Sequence, residues 1–141
     1  MKNLLVLGVA ILSLNCFAQY KVEDYYKSSH GKDYSIALNA CFAAMDSAGG
    51  GVLELVGNKK YIVSSNCQLP KAASKGKRIF VINGNGAKIV ASRDTVCLFN
   101  RIPSNQDEAL RRFMKSRFTI NDINFLGGKK GINLAATYQS S

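Results

Sequence analysis

Three basic residues close together are the strongest candidates for a binding site in this sequence. Arg111, Arg112 and Lys115 lie in a segment of mixed charge, residues 100–116, and follow the acidic residues Asp107 and Glu108. Guanidinium groups bind carboxylates through paired hydrogen bonds, so the pattern predicts a substrate-binding site for carboxylate groups. The alternative is a surface helix whose charges match its own dipole, with acids in the first turn and bases in the last.

A second polar group, the sequence "NDIN", contains Asn121, Asp122 and Asn124. Calcium sites bring several carboxylates together, and this group offers a single one. Asparagine and aspartate also stabilise tight turns, because they tolerate the left-handed backbone conformation and hydrogen-bond locally. We therefore interpret the group as a turn, and the sequence predicts no metal site.

Histidine and cysteine chemistry are both poorly supported. His30 is the only histidine, so no serine–histidine–aspartate arrangement can be built from several candidates, and we expect it to be a solvent-exposed loop residue. Cys41, Cys67 and Cys97 each lie in an apolar neighbourhood without zinc-ligand spacing, which predicts buried small hydrophobic residues, with one disulfide among them left open. No catalytic residue is predicted in this chain, and its cofactors are unknown, with none indicated.

The first residues form a signal sequence. Lys2 precedes an apolar run from Leu4 to Leu14, and Cys16-Phe17-Ala18 follows as a small-x-small cleavage pattern. This run is shorter than the roughly 20 residues that span a bilayer, so residues 1–18 are predicted to be a signal peptide cleaved after Ala18. A lipidated Cys16 is the alternative, although Asn15 is unsuitable before a lipidated cysteine. We therefore predict a secreted protein, extracellular or periplasmic, with no membrane association after cleavage and a domain over 19–141.

The charge of the chain indicates the class of partner. The formal net charge is +10 at pH 7, and the anions available to an exported protein are acidic polysaccharides and cell-surface glycans. The basic residues are scattered rather than gathered with aromatic residues, which argues against nucleic acid as a partner. A solvated basic surface without a specific partner is the alternative.

One helix and a series of short strands must position these residues. Small and apolar residues recur at helical spacing, and Asp33 or Ser35 can cap the helix at its start, while the glycines at 49–51 end it. The predicted apolar stripe is Ala37, Cys41, Ala44, Met45 and Ala48.

After the helix, short strands recur in groups of three, separated by polar or glycine corners. The first group is 53–55, 61–63 and 67–69, the second is 80–82, 87–91 and 95–99, and the third is 118–120, 123–125 and 131–135. Repetition of short strands is typical of a solenoid, whose open ends need covering, so the helix is predicted to be a cap.

The segment from about residue 20 resembles the N-terminal part of the pectate lyase superfamily of β-helix proteins. The resemblance rests on the order of "YKVEDY" (20–25), "GKDYSIALNA" (31–40), "GGGVLEL" (49–55), "GNKKYIV" (57–63) and "INGNGAKI" (82–89). It implies an all-β fold, a right-handed parallel β-helix of about three coils with an N-terminal α-helical cap.

The resemblance also implies a function. It suggests the N-terminal part of an exported lyase or glycoside hydrolase acting on acidic, uronate-containing polysaccharide, with catalytic residues beyond this chain. The alternative is a non-catalytic surface, adhesive or glycan-binding module. Because three coils would leave an apolar edge open, we expect an incomplete stack, and oligomerisation through that edge.

Overall fold

All strand pairs run parallel in the part of the chain that the computed structural model describes, residues 17–71, 79–102 and 116–134. One sheet has the strand order β1-β2-β5-β3, with β7 also paired to β5, and the other has the order β4-β6-β8. The elements are β1 (Gln19–Lys21), two 3₁₀ helices (Val22–Tyr25 and Ser28–His30), α1 (Ser35–Ala48), β2 (Gly50–Glu54), β3 (Lys60–Val63), β4 (Cys67–Gln68), β5 (Ile79–Ala91), β6 (Cys97–Arg101), β7 (Arg117–Leu126) and β8 (Lys130–Leu134).

The chain follows the same path three times. Strands β2, β3 and β4 form a first layer, residues 50–68. The two halves of β5 pair with β2 and β3, and β6 pairs with β4, which makes a second layer, residues 79–101. Strands β7 and β8 repeat these pairings against β5 and β6 in a third layer, residues 117–134. The protein is therefore mostly β-strand, in parallel sheets, with one α-helix.

The strand groups predicted from the sequence are confirmed as strands, with one correction to their division. The predicted pairs at 80–82 and 87–91, and at 118–120 and 123–125, are each one continuous strand, β5 and β7. In the first layer the corresponding strands β2 and β3 are separate. At the predicted corner within β5, the register with β7 shifts between Asn83 and Ala87.

The apolar core runs through the layers at matching register. Leu53, Ile82 and Ile120 are aligned across β2, β5 and β7, and the first two are fully buried while Ile120 is only partly buried. Near the other sheet the Phe99 ring lies 5.4 Å from Phe42 of α1 and 5.1 Å from Phe125 of β7. Because a core residue needs neighbours on all sides, burial is lower in the third layer, which has a described layer on one side only.

Helix α1 covers the first layer, and Ala37, Cys41 and Met45 of the predicted apolar stripe are buried as expected. Its buried side chains also include Leu38 and Phe42, whereas Ala48 is exposed and Ala44 is half-buried. The bulky residues therefore outweigh the small ones in deciding which face is buried. The helix ends as predicted: Gly49 has φ 75, the left-handed geometry that glycine adopts at low cost.

The residue at the N-cap of α1 is Tyr34, and the predicted capping residue Asp33 precedes it, bonds the first helical residue and joins the helix to the first layer. One carboxylate oxygen accepts hydrogen bonds from the Ser35 backbone N–H at 2.9 Å and its hydroxyl at 2.6 Å. The same oxygen accepts from the Ser64 backbone N–H at 3.2 Å. Burial raises the pKa of Asp33, but these bonds from Ser35 and Ser64 outweigh it and hold the pKa below its ordinary value.

Candidate anion-binding face

A row of polar side chains runs across the three layers. It takes one residue from each of β3, β5 and β7, on the face that points away from the core. Lys60 of β3 pairs in register with Lys88 of β5, and Lys88 pairs with Asn124 of β7. All three side chains are exposed. We call Lys60, Lys88 and Asn124 the lysine row.

The direction of these side chains follows from strand alternation. The next residues along the chain, Tyr61 and Ile89, are fully buried in the core, so the lysines before them lie on the opposite face. Neighbouring strands are about 4.8 Å apart, which brings the two ammonium groups close enough to repel. A bound anion between them would relieve that repulsion.

Neither lysine of the row forms an ion pair with a described residue. By contrast, the adjacent Lys59 is fully engaged: its Nζ lies 2.8 Å from a Glu23 carboxylate oxygen. The same Nζ lies 4.8 Å from the centre of the Tyr34 ring and 5.0 Å from that of Tyr61. Two consecutive lysines thus have different roles, since Lys59 holds the fold together while Lys60 is available to a ligand.

The contacts of Glu23 explain its ionisation. Burial raises the pKa of this carboxyl, but hydrogen bonds from Lys59 and Tyr61 outweigh it, so the net pKa lies below the ordinary value. The Tyr61 hydroxyl donates to Glu23 at 2.8 Å and accepts from the Val56 backbone N–H at 3.0 Å. Burial likewise raises the pKa of Tyr61, which therefore stays protonated. The cluster ties the N-terminal segment to the first layer.

An apolar row lies beside the lysine row on the same outer face. Ile62, Val90 and Leu126 are aligned in register two residues further along their strands. Leu126 is 45% exposed, and the other two are half-buried. A ligand that lies across this face would meet cations on one side and aliphatic groups on the other. Sugar rings with carboxylate substituents present both kinds of surface.

The corner before the lysine row is built from residues with left-handed backbone geometry. Asn58, Asn85 and Asp122 have φ values of 57, 52 and 50. Asp122 thus has the left-handed conformation that the turn interpretation of residues 121–124 expects, but these residues lie inside the continuous strand β7 and not in a turn. Asn121 has a different role, because its amide donates to the Asn83 side-chain oxygen at 3.0 Å.

The described residues contain no group of three or more histidine, cysteine or acidic side chains placed to hold a metal ion. Arg111, Arg112 and Lys115, the substrate-binding residues predicted from the sequence, lie outside the described residues. The structure describes this segment only up to Ile102 and again from Ser116. Beside that point, Arg101 is buried, with its guanidinium 4.4 Å from the centre of the Phe118 ring.

His30 differs from the prediction of an exposed loop residue. It ends the second 3₁₀ helix, is half-buried, and packs edge-on against the Tyr26 ring at 5.7 Å. Its Nδ1 accepts a hydrogen bond from the Lys27 backbone N–H at 3.2 Å. A sequence pattern of period two or 3.6 does not show such local packing.

The three cysteines that the structure describes, Cys41, Cys67 and Cys97, are free thiols. Cys41 and Cys67 are buried as predicted, and burial raises the pKa of each to about 12. Neither is therefore a thiolate at neutral pH, which makes both poor nucleophiles. Cys97 departs from the prediction because it is half-buried.

A groove of about 290 Å³ lies between α1 and the end of β4, lined by Asn39, Phe42, Ala43, Asp46, Gln68, Leu69, Pro70 and Lys71. The Asn39 side chain is held in place there: it donates to the Asn66 carbonyl at 3.1 Å and accepts from the Gln68 backbone N–H at 2.6 Å. These bonds anchor α1 to the first layer, so we assign Asn39 a structural role.

Sequence reasoning missed the lysine row, although a signal for it exists. In the first repeat the second strand is "KYIV" (60–63), and in the second it is "KIVA" (88–91), so each begins with a lysine. Aligning the repeats strand by strand places these lysines together. Their alignment in space still depends on the register between β3 and β5.

Comparison of the chain with family models, curated proteins and solved structures found no match. Among the described residues, no helix has the length and apolar character needed to cross a membrane.

Proposed function

We propose that this is an exported protein of the parallel β-helix class that binds acidic polysaccharide along the lysine row. The observation that carries the proposal is the in-register pair Lys60 and Lys88, both exposed and neither paired with a described acid. Successive layers repeat about every 4.8 Å along the stack. A polymer with a carboxylate on each sugar can therefore present charges to both lysines at once.

Three passes over one path, with only parallel pairing, support the β-helix assignment. Crossover connections between parallel strands are right-handed in nearly all proteins, so we assign a right-handed coil. Export is inferred from residues 1–18, of which 1–16 lie outside the described residues. The apolar row beside the lysines favours a sugar polymer over a compact inorganic anion.

The test is binding to polygalacturonate and alginate, with dextran as the neutral control. We expect saturable binding to both polyuronates by calorimetry, no binding to dextran, and weaker binding as ionic strength rises. The double substitution Lys60→Gln and Lys88→Gln is expected to weaken binding about tenfold, which corresponds to roughly 1.4 kcal/mol.

A matched control removes the same charge elsewhere. Lys21 and Lys27 are also exposed, on β1 and in the loop before the second 3₁₀ helix. Lys21→Gln with Lys27→Gln should leave the affinity within about twofold, since distant surface charges contribute little. Equal losses in the two double variants would show that only net charge matters, and would contradict a site at the lysine row.

Lyase or hydrolase activity on the same polymer follows from the family resemblance and stays a prediction. A lyase forms a double bond conjugated to the uronate carboxylate, which absorbs in the ultraviolet, whereas a hydrolase forms reducing ends without that absorbance. Assaying both signals with polygalacturonate separates these reactions from binding alone.

A further inference from the structure

The outer edge of the third layer has features that specify what can pair with it. Strand β7 pairs with β5 and strand β8 pairs with β6, and no described residue pairs with the opposite edge of either strand. The core positions next to this edge are only partly covered: Phe118, Ile120, Ile123 and Phe125 are partly buried, and Ile132 is 40% exposed. An unpaired strand edge beside apolar side chains is a site for strand addition.

A chain of side-chain hydrogen bonds leads across the layers to this edge. Glu54, Asn83 and Asn121 are aligned in register on β2, β5 and β7. The Asn83 amide donates to a Glu54 carboxylate oxygen at 2.7 Å, and the Asn121 amide donates to the Asn83 side-chain oxygen at 3.0 Å. We call these three residues the first ladder.

Glu54 sets the direction of the first ladder. An ionised carboxylate can only accept hydrogen bonds, so Asn83 must present its NH₂ group to Glu54 and its oxygen to β7. Asn121 must then present its own NH₂ group to Asn83. Its side-chain oxygen, an acceptor, is left for the open edge.

A second ladder on the other sheet has the same direction. The Asn100 amide donates to the Gln68 side-chain oxygen at 3.3 Å, and the Asn133 amide donates to the Asn100 oxygen at 2.8 Å. At the open edge the Asn133 oxygen accepts from Lys130 Nζ at 3.2 Å. A donor thus occupies the terminal acceptor of this ladder, which is what the first ladder lacks among the described residues.

An aromatic stack accompanies the first ladder. The rings of Phe80 and Phe118 are stacked, with centres 4.8 Å apart and planes at 18°. In both strands the phenylalanine precedes the ladder asparagine by three residues, in the sequences "FVIN" (80–83) and "FTIN" (118–121). The pattern Phe-x-Ile-Asn therefore specifies pairing between the second and third layers.

We propose that the open edge of β7 is a docking surface for a parallel β-strand of a partner polypeptide carrying the pattern Phe-x-Ile-Asn. The partner's asparagine would lie opposite Asn121 and donate to its oxygen, and the partner's phenylalanine would stack on Phe118. A second copy related by a two-fold axis would pair its β7 antiparallel. An antiparallel register that places Asn121 opposite Asn121 places Phe118 opposite Asn124, so the asparagine and phenylalanine contacts cannot both form. A parallel strand allows both contacts, and we therefore take it as the occupant. This inference is independent of polysaccharide binding.

The test uses the full chain and a synthetic peptide with the sequence of residues 118–125, "FTINDINF". On binding, we expect slower hydrogen exchange at the backbone amides of 117–126. A nitroxide on the N-terminus of the peptide should broaden the amide resonances near Arg117 and leave those near Leu126 unchanged. That pattern is specific to parallel pairing.

The matched control changes one functional group in the peptide and uses the unsubstituted protein. Replacing the first asparagine of the peptide by aspartate keeps its size but removes the donor, and we expect at least tenfold weaker binding. The added negative charge would by itself favour binding to this basic protein, so weaker binding cannot come from net charge. Replacing the peptide's first phenylalanine by alanine should also weaken binding.

Three results would overturn the proposal. These are no saturable change in exchange at 117–126, broadening near Leu126 in place of Arg117, or equal affinity of the asparagine and aspartate peptides. Concentration-dependent dimerisation of the chain alone, with protection of β7, would assign the edge to a second copy instead.

Discussion

At the first layer the core is covered by α1 and the N-terminal segment, whereas at the third layer the same core positions have described neighbours on one side only. Phe80 and Phe118 occupy equivalent positions and stack on each other, yet Phe80 is fully buried and Phe118 partly so. The same residue type in the same local pattern thus differs in burial. The stacking of layers, more than the hydrophobicity of the residue, decides how much each contact stabilises the fold.

The largest expected effect on stability, and the first test of this comparison, comes from truncating the two phenylalanine side chains. Phe80→Ala removes a fully buried ring and is expected to lower the free energy of unfolding by about 3–5 kcal/mol. Phe118→Ala removes a ring that is only partly buried and should cost about half as much. Urea unfolding of both variants measures the difference. Equal losses would mean that the third layer is as well covered as the second.

The second-largest effect comes from a substitution that tests whether the third layer can separate from the second. A Cβ added at Gly84 in β5 would lie 2.1 Å from the Asp122 carbonyl oxygen of β7, so Gly84→Ala must push the strands apart. We expect a loss of about 1–3 kcal/mol, with faster hydrogen exchange in β7 than in β2. Gly86→Ala is the control. It has φ 78, and its added Cβ would lie 3.0 Å from the movable Asn58 side chain, so its cost should be the backbone strain of about 1 kcal/mol. If β2 and β7 lose protection equally in Gly84→Ala, the layers do not separate as units.

The smallest effect concerns the first layer, where the N-terminal segment covers the core. Glu23→Gln weakens the hydrogen bonds that Glu23 accepts from Lys59 and Tyr61, and is expected to cost about 1 kcal/mol near neutral pH. Because the folded-state pKa of Glu23 lies below its ordinary value of 4.5, its contribution is present above that pH. It is lost as pH falls through the folded pKa. The difference in unfolding free energy between wild type and Glu23→Gln should therefore shrink with acidification.

The exposed neighbour Asp24 provides the control for this experiment. Asp24→Asn, on the same 3₁₀ helix, should change stability little at any of these pH values. A wild-type advantage over Glu23→Gln that stays constant down to acid pH would contradict the ionic role of Glu23.

Much of the fold could be predicted because short-range signals were strong. Alternation of apolar residues located the strands, and Gly49 ended the helix where a left-handed residue was required. The division of β5 and β7 was wrong, because whether a corner interrupts a strand depends on pairing with the next layer. The buried face of α1 was predicted in part: Ala37, Cys41 and Met45 are buried as expected, whereas the burial of Leu38 and Phe42 depends on partners that are distant in sequence.

The candidate site was less accessible to prediction. A cluster along the chain, such as Arg111, Arg112 and Lys115, is visible in one dimension, whereas Lys60 and Lys88 are 28 residues apart and meet only through the register of β3 and β5. Lys59 and Lys60 are equivalent in the sequence. Packing against Tyr34, Tyr61 and Glu23 is what makes one structural and leaves the other exposed.

By itself the sequence determined the order of helix and strands, the threefold repetition, and the excess of positive charge, because these depend on local periodicity and composition. Only the tertiary structure decided which side chains share a row and which lysine is free. It also decided the direction of the ladder that starts at Glu54. Those properties depend on the parallel register between strands about thirty residues apart, and that register is fixed only when the buried faces of the layers pack together.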